Sequence, residues 1–117
     1  MAAAPIVFFD IAGPDLEKQR AFFRDVFAWE SAPTGHVSAP VNSGQLGGFL
    51  RTDPADVLLY FGVPDVTATL AKIATAGGAV AVPRFEVKGV VVLGLFNDPA
   101  GNRLGLVEMD GDKPRIP

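Results

Sequence analysis

The decapeptide IVFFDIAGPD at residues 6–15 and the decapeptide DVLLYFGVPD at residues 56–65 follow one pattern, 50 residues apart. Each contains a run of β-branched and aromatic residues, which favours a strand. Each ends in a proline followed by an aspartate, a pair that stops the strand and supplies an N-cap for a helix. Recurrence at a fixed spacing predicts two copies of one structural module.

A helix is predicted after each copy. In the first copy, Phe23 and Phe27 recur at helical spacing, and the helix is predicted to end near Phe27. In the second copy, Val66 and Leu70 begin an apolar stripe, and the glycine pair at 77–78 supplies the C-terminal stop. The helices therefore occupy equivalent places in the two copies.

Three short strands are predicted after each helix, and Asp98-Pro-Ala-Gly-Asn102 is predicted to be the turn between the last two. The predicted ranges are Trp29–Ala32, His36–Pro40 and Leu46–Arg51 in the first copy, and Ala79–Pro83, Val87–Phe96 and Asn102–Glu108 in the second. The order is thus β-α-β-β-β, twice. We predict an α+β fold of two βαβββ modules related by pseudo-twofold symmetry, with curved antiparallel strands forming a cleft and the helices outside.

The chain has 117 residues, of which 49% are hydrophobic, which predicts a single domain with a sizeable core. We expect this domain to span residues 1–117. Module one is predicted over 4–52 and module two over 56–109. The polar tail at 110–117 is expected to be loose.

Composition excludes several classes of function. The net charge is −3 and no basic cluster appears, so a nucleic-acid partner and an anionic membrane partner are not expected. The chain has no cysteine, which excludes disulfides and zinc–thiolate sites. The first five residues lack a basic stretch, so we predict no signal peptide and a cytoplasmic protein.

Three motifs in order resemble the glyoxalase/bleomycin-resistance/dioxygenase (vicinal oxygen chelate) superfamily. They are Phe9-Asp-Ile11 with Asp15-Leu16, Ala21-Phe22-Phe23 and Val26-Phe27-Ala28-Trp29; Val63-Pro-Asp-Val66 running to Ala76-Gly-Gly78; and Phe96-Asn-Asp-Pro-Ala-Gly-Asn102 with Leu104-Gly-Leu106. The resemblance covers nearly the whole chain, and the third motif is the most specific. It implies the fold more strongly than it implies a reaction.

The resemblance also implies a divalent metal held by His, Glu or Gln side chains that face the cleft. One ligand position lies on the first strand of each module, seven residues before the helix-starting aspartate, and these positions are Phe8 and Leu58. Another lies on the last strand, at Gly105. None of the three has a side chain that binds a divalent ion, so we expect no metal and no cofactor.

Side-chain alternation gives the remaining candidates. Phe9 and Ile11 are expected to cover the helices, which leaves Asp10 toward the cleft. Asp10 could orient a ligand or act as a base, or it could form a structural bridge with Arg103 or Tyr60. The candidate ligand-binding residues are Phe8, Asp10, Leu58, Tyr60, Arg103 and Gly105.

A rearranged metal site would have to use His36, Asp10 and Glu108. Glu108 has the opposite parity to Gly105, so it is expected to face away from the cleft or to sit at the strand end. His36 is the only histidine and follows Gly35 in a loop-like stretch, so it is interpreted as incidental. No serine stands in a nucleophile-elbow context, which excludes a Ser/His/Asp triad.

The favoured function is a protein without the usual metal ligands that binds a small hydrophobic or aromatic molecule, as a homodimer. One alternative is a metal-dependent lyase, isomerase or dioxygenase with a relocated metal. Another is a dimeric structural or interaction module. A dimeric ferredoxin-like α/β barrel is an alternative fold, but it needs fewer strands and no 50-residue repeat.

Overall fold

The computed structural model describes residues 3–117, so the first two residues of the segment in which we predict no signal peptide lie outside it. The described residues form two helices and eight strands. In chain order they are β1 (Ile6–Gly13), α1 (Leu16–Phe27), β2 (His36–Val41), β3 (Gly44–Thr52), β4 (Asp56–Val63), α2 (Val66–Thr75), β5 (Ala79–Val87), β6 (Val91–Asn97), β7 (Arg103–Asp110) and β8 (Lys113–Pro114). Neither helix of the described residues is long and apolar enough to span a membrane.

The described residues group into two compact units. The first unit is Phe8–Leu59, and the second is Tyr60–Pro117 together with the residues up to Val7. The α+β class with two related halves is confirmed. The strands are mixed in direction rather than all antiparallel, because β1 pairs in parallel with β3 and β4 pairs in parallel with β7.

In the first unit, β3 lies between β1 and β2, parallel to β1 and antiparallel to β2. Its core contains Phe9, Val37 and Ala39, with Trp29 packed against them. Gly48 permits this packing, because a Cβ there would lie 2.1 Å from the Phe9 ring. The sheet and α1 therefore share one apolar layer.

In the second unit, β7 lies parallel to β4 and antiparallel to β6, and β6 pairs in turn with β5. The core of this unit joins α2 to the sheet. Its buried members are Val63, Val66, Leu70, Phe96 and Leu106. The predicted turn at 98–102 is confirmed, because the Asp98 carboxylate accepts from the Ala100 and Asn102 backbone N–H groups.

Both predicted helix starts are confirmed by their caps. The Asp15 carboxylate accepts a hydrogen bond from the Lys18 N–H at 3.1 Å, and the Asp65 carboxylate accepts one from the Ala68 N–H at 2.9 Å. Each cap satisfies a backbone donor that the first turn of a helix cannot pair internally. The Pro-Asp pairs therefore act as the sequence predicts.

The strand predicted at Trp29–Ala32 is wrong. Ala28 takes a left-handed conformation (φ 59°), and the Trp29 N–H donates to the Phe23 carbonyl, closing the end of α1. The Trp29 ring then stacks on Phe23, with ring centroids 5.1 Å apart. Since this segment completes the helix, the first unit has the order β-α-β-β.

Two other boundaries differ from the sequence prediction. β5 continues to Val87, and β6 starts only at Val91, because the Val90 N–H donates to the Val87 carbonyl in a turn. The tail predicted to be loose is instead ordered. β8 pairs with the end of β7, and the Arg115 N–H donates to the Glu108 carbonyl at 2.9 Å.

Candidate functional site

In each unit the strands have a helix face, which packs toward the helix of that unit, and a far face on the opposite side. In the first unit, the Phe9 ring lies 5.6 Å from Trp29 and therefore belongs to the helix face. Because side chains alternate along a strand, Phe8 and Asp10 lie on the far face. This is the direction that the sequence predicts. The Phe8 ring lies beside Gly47 of β3. A Cβ added at Gly47 would lie 3.4 Å from the Phe8 Cδ1 atom, which is ordinary van der Waals contact.

In the second unit, Leu106 packs with α2 on the helix face. Gly105 and Val107 are therefore on the far face. Tyr60 is the register partner of Gly105, and its ring covers the glycine: a Cβ at Gly105 would lie 2.3 Å from the Tyr60 Cδ2 atom. The structure thus brings together two of the predicted site residues, Tyr60 and Gly105.

The other predicted site residues have different surroundings. Leu58 and Asp10 are buried, whereas Phe8 is half-buried. Arg103 is exposed at the start of β7, opposite Asn97. Leu58 and Phe8 belong to the first unit, with Asp10, and Arg103 belongs to the second.

Asp10 is paired with Arg51, a partner other than the Arg103 or Tyr60 that the sequence suggests. Asp10 is only 3% exposed. Its carboxylate accepts a hydrogen bond from Arg51 Nε at 3.0 Å. Arg51 also donates to Asp53 at 3.0 Å and to Asp56 at 3.2 Å. Burial opposes the charge of Arg51, but the bonds to these three carboxylates outweigh it and raise the pKa of the guanidinium above its ordinary value.

The sequence predicts the strand that contains Arg51 but not its contact with Asp10. Arg51 ends the predicted strand Leu46–Arg51, but the parallel pairing of β1 with β3 is needed to place it next to Asp10. Sequence alternation assigns a face to a residue without giving its neighbour on another strand.

Glu108 lies on the helix face and is only 6% exposed. It accepts hydrogen bonds from Arg84 at 3.0 Å through both oxygens and from the Val66 N–H at 3.1 Å, and Arg115 lies 3.2 Å away. The Arg84 bonds outweigh the effect of burial and lower the pKa of Glu108 from 4.5 to about 2. Glu108 therefore joins β5, α2 and the tail through one charged group.

These residues do not fit the divalent metal that the family resemblance implies. Phe8, Leu58 and Gly105 offer no donor atom, and the Tyr60 ring fills the space above Gly105. Within residues 3–117, no cluster of three or more His, Asp or Glu side chains is arranged to hold a metal ion. Two of the three residues proposed for a relocated site, Asp10 and Glu108, already bind arginines.

A family model described as a glyoxalase-like domain matches residues 6–107. No match was found among curated proteins.

Solved structures share the fold. A variant of the methylmalonyl-CoA epimerase of Streptomyces coelicolor, in complex with 2-nitronate-propionyl-CoA, gives a TM-score of 0.67 at 19% identity over 97% of this chain and 99% of that one. The methylmalonyl-CoA epimerase of Mycobacterium tuberculosis gives 0.60 at 15% identity, over 94% and 93%. A hypothetical protein of Bacillus halodurans C-125 gives 0.67 at 7% identity, over 97% and 100%. Sequence identities this low show a shared fold but do not show a shared reaction.

The ion pairs of Glu108 predict a stability change in acid. Because the folded-state pKa is depressed, the stabilisation is present above pH 4.5 and is lost as the pH falls toward about 2. Glu108→Gln should remove up to about 3 kcal/mol of unfolding free energy at neutral pH and flatten the loss in acid, since one pKa unit corresponds to about 1.4 kcal/mol. Chemical denaturation at neutral pH and near pH 2 measures the unfolding free energy and its loss in acid.

The matched control is Glu17→Gln, which removes an exposed ion pair with Arg20. Asp98 also has a lowered pKa, because Asn102 donates to its carboxylate from side chain and backbone. The contribution of Glu108 is therefore read from the difference in unfolding free energy between the wild type and Glu108→Gln at each pH. An unchanged acid dependence in that variant would contradict the assignment.

Proposed function

Since this chain belongs to the glyoxalase-like domain family, we propose that it binds a small hydrophobic or aromatic molecule without using a metal ion. The observation that carries the proposal is the apolar character of the far face in the second unit. There the family's ligand position is Gly105, covered by the Tyr60 ring, and its neighbours are aliphatic.

This apolar floor consists of Tyr60, Leu93, Leu95, Gly105 and Val107. Leu95 is the register partner of Gly105, and Leu93 is that of Val107, so all four lie on the same face. Most of the floor is buried, and Leu93 is half-buried.

The rim of the floor is accessible. Phe85 pairs with Leu93 and is 36% exposed, and Val87 continues the rim two residues later. Large apolar side chains that remain exposed beside an apolar floor are typical of a surface that binds an apolar partner or ligand. We assign Phe85 and Leu93 the role of ligand contacts.

A metal-dependent reaction has less support. A relocated metal would need Asp10 or Glu108, and each carboxylate would first have to lose its arginine partner. Removing one partner from a buried ion pair costs about 3–5 kcal/mol, which metal binding would have to offset. The non-metal function requires no such rearrangement.

A thermal-shift screen with aromatic and aliphatic small molecules tests the proposal. We expect some of these molecules to raise the melting temperature. Phe85→Ala should lower their affinity about fivefold, the effect of losing roughly 1 kcal/mol of apolar contact. Val90→Ala is the matched control, because Val90 is more exposed and lies in the adjoining turn. If no molecule binds, or if both variants weaken binding equally, the proposal is wrong.

We also propose that the chain forms a homodimer through α1. No residue of α1 is buried, and Phe22, Val26 and Phe27 are 52%, 58% and 57% exposed. By contrast, α2 buries Val66 and Leu70. A second copy that presents the same helix would cover both apolar surfaces in one symmetric contact.

Light scattering at micromolar concentration tests the dimer. We expect the mass of two chains for the wild type and of one chain for Phe22→Ser/Val26→Ser. The control Val90→Ser removes a comparably exposed apolar side chain outside α1 and should remain dimeric. A wild-type monomer at this concentration would refute an obligate dimer.

A further inference from the structure

We propose that the small molecule bound by the second unit carries a carboxylate at one end and that Arg103 binds this carboxylate. The inference rests on the proposed function, because it takes the apolar part of the molecule to contact Phe85 and Leu93. It names the chemical class of the ligand, which is an organic carboxylate with an aromatic or aliphatic body.

Arg103 lies on the same face of the sheet as the apolar floor. Leu104 packs against the core under α2, so Arg103, the residue before it, points to the far face as Gly105 does. The register partner of Arg103 is Asn97, which follows Phe96 of the same core and therefore also lies on the far face. The two polar side chains thus form one row, directly next to the row that contains Gly105.

The positive charge of Arg103 stands among uncharged residues. Among the described residues that β6 and β7 present on the far face, Arg103 is the one that carries a charge. The others are Val91, Leu93, Leu95, Asn97, Gly105, Val107 and Met109. The net charge of the chain is −3, so the protein as a whole does not attract small anions. A preference for an anion on this face must therefore come from Arg103.

An accessible path connects the polar row with the residues assigned to the apolar body. It runs along β5 and β6, whose register pairs on the far face are Ala79 with Asn97, Val82 with Leu95, and Phe85 with Leu93. These residues are exposed or half-buried except for Leu95, which is buried. Asn97 and Leu93 are four residues apart, about 13 Å along the strand. Since long side chains can cover part of that span, a ring joined to a carboxylate by a few carbon atoms can contact both ends.

The turn between β6 and β7 holds the polar row in place. Asn97 precedes this turn and Arg103 follows it. The Asp98 N–H donates to the Asn102 carbonyl at 2.9 Å. The Asp98 carboxylate accepts from the Ala100 N–H at 3.0 Å and from the backbone and side chain of Asn102 at 2.8 Å, and these donors compensate its negative charge. A backbone fixed in this way loses little freedom when a ligand binds, which favours affinity.

A carboxylate suits this polar row better than a neutral group does. The guanidinium of Arg103 can bind a carboxylate through two parallel N–H bonds, and such charge-assisted bonds are stronger than neutral ones. It has five N–H donors, so it can bind a ligand while it keeps contacts within the chain. The amide of Asn97 supplies a further donor. A purely hydrocarbon molecule would cover these polar groups without replacing their bonds to water, which is unfavourable.

Ligand-observed NMR titrations with three probes test the inference. Phenylbutyrate has both the ring and the carboxylate, phenylbutyramide has the same shape without the charge, and butyrate lacks the ring. We expect phenylbutyrate to bind and phenylbutyramide to bind about tenfold more weakly, the effect of losing a charge-assisted hydrogen bond. Butyrate should show no binding at the same concentrations. Added salt should weaken the binding of phenylbutyrate more than that of the amide.

Three variants separate the charge from the apolar contact. Arg103→Gln removes the charge but keeps a long polar side chain, and should lower the affinity for phenylbutyrate about tenfold while leaving that for the amide unchanged. Phe85→Ala should weaken both probes equally. Lys113→Gln is the matched control, because it removes an exposed positive charge from the tail of the same unit. It should change neither affinity.

Reversing the sign of the charge gives a second test. Arg103 is exposed, so Arg103→Glu should fold, and its melting temperature without ligand checks this. We expect this variant to bind phenylbutylamine, whose end group is a cation, more tightly than phenylbutyrate. The wild type should have the opposite preference. A variant that keeps the preference of the wild type would contradict the assignment of Arg103.

Failure of this inference is distinguishable from failure of the proposed function. If screened molecules bind in a way that depends on Phe85 while phenylbutyrate and its amide bind equally, the carboxylate site is wrong and the apolar binder stands. If Arg103→Gln weakens acid and amide alike, or no more than Lys113→Gln does, Arg103 does not bind the carboxylate. If no probe and no screened molecule binds, both proposals are wrong.

Discussion

The direction of the side chains on the strands under each helix decides which residues reach the far face of each unit. Phe9 must lie against Trp29 to close the apolar layer under α1, and this choice sends Phe8 and Asp10 to the far face. The same alternation puts Leu106 under α2 and Gly105 on the far face. Because a shift of one residue would exchange both faces, packing under the helices decides which residues a ligand can meet.

The two buried carboxylates show how the fold tolerates charge beside these apolar layers. Asp10 is neutralised by Arg51 on the neighbouring strand, and Glu108 by Arg84 and Arg115 with the backbone of Val66. A buried charge without such partners would be strongly destabilising. Both groups therefore have a structural explanation, which reduces the case for either as a catalytic base or a metal ligand.

Much of the fold could be predicted from local patterns, because caps, turns and strand runs are encoded in neighbouring residues. The Asp15 and Asp65 caps and the turn at 98–102 are examples. The local pattern at Trp29 predicts a strand, since nothing in the neighbouring residues shows that its backbone closes α1. The Arg51–Asp10 and His36–Phe49 contacts depend on strand register, which alternation cannot supply. Parity separates Phe9, which lies beside Trp29, from Phe8 and Asp10, but it does not identify the partners of those two residues.

We propose that Phe8, Leu58 and Gly105, which occupy the positions that the resemblance assigns to metal ligands, leave this chain to bind its ligand without a metal ion. Elemental analysis of protein purified without chelators, combined with melting curves in the presence and absence of EDTA, tests it most directly. We expect a substoichiometric metal content and the same melting temperature in both conditions. A stoichiometric divalent ion whose removal lowers the melting temperature would contradict it.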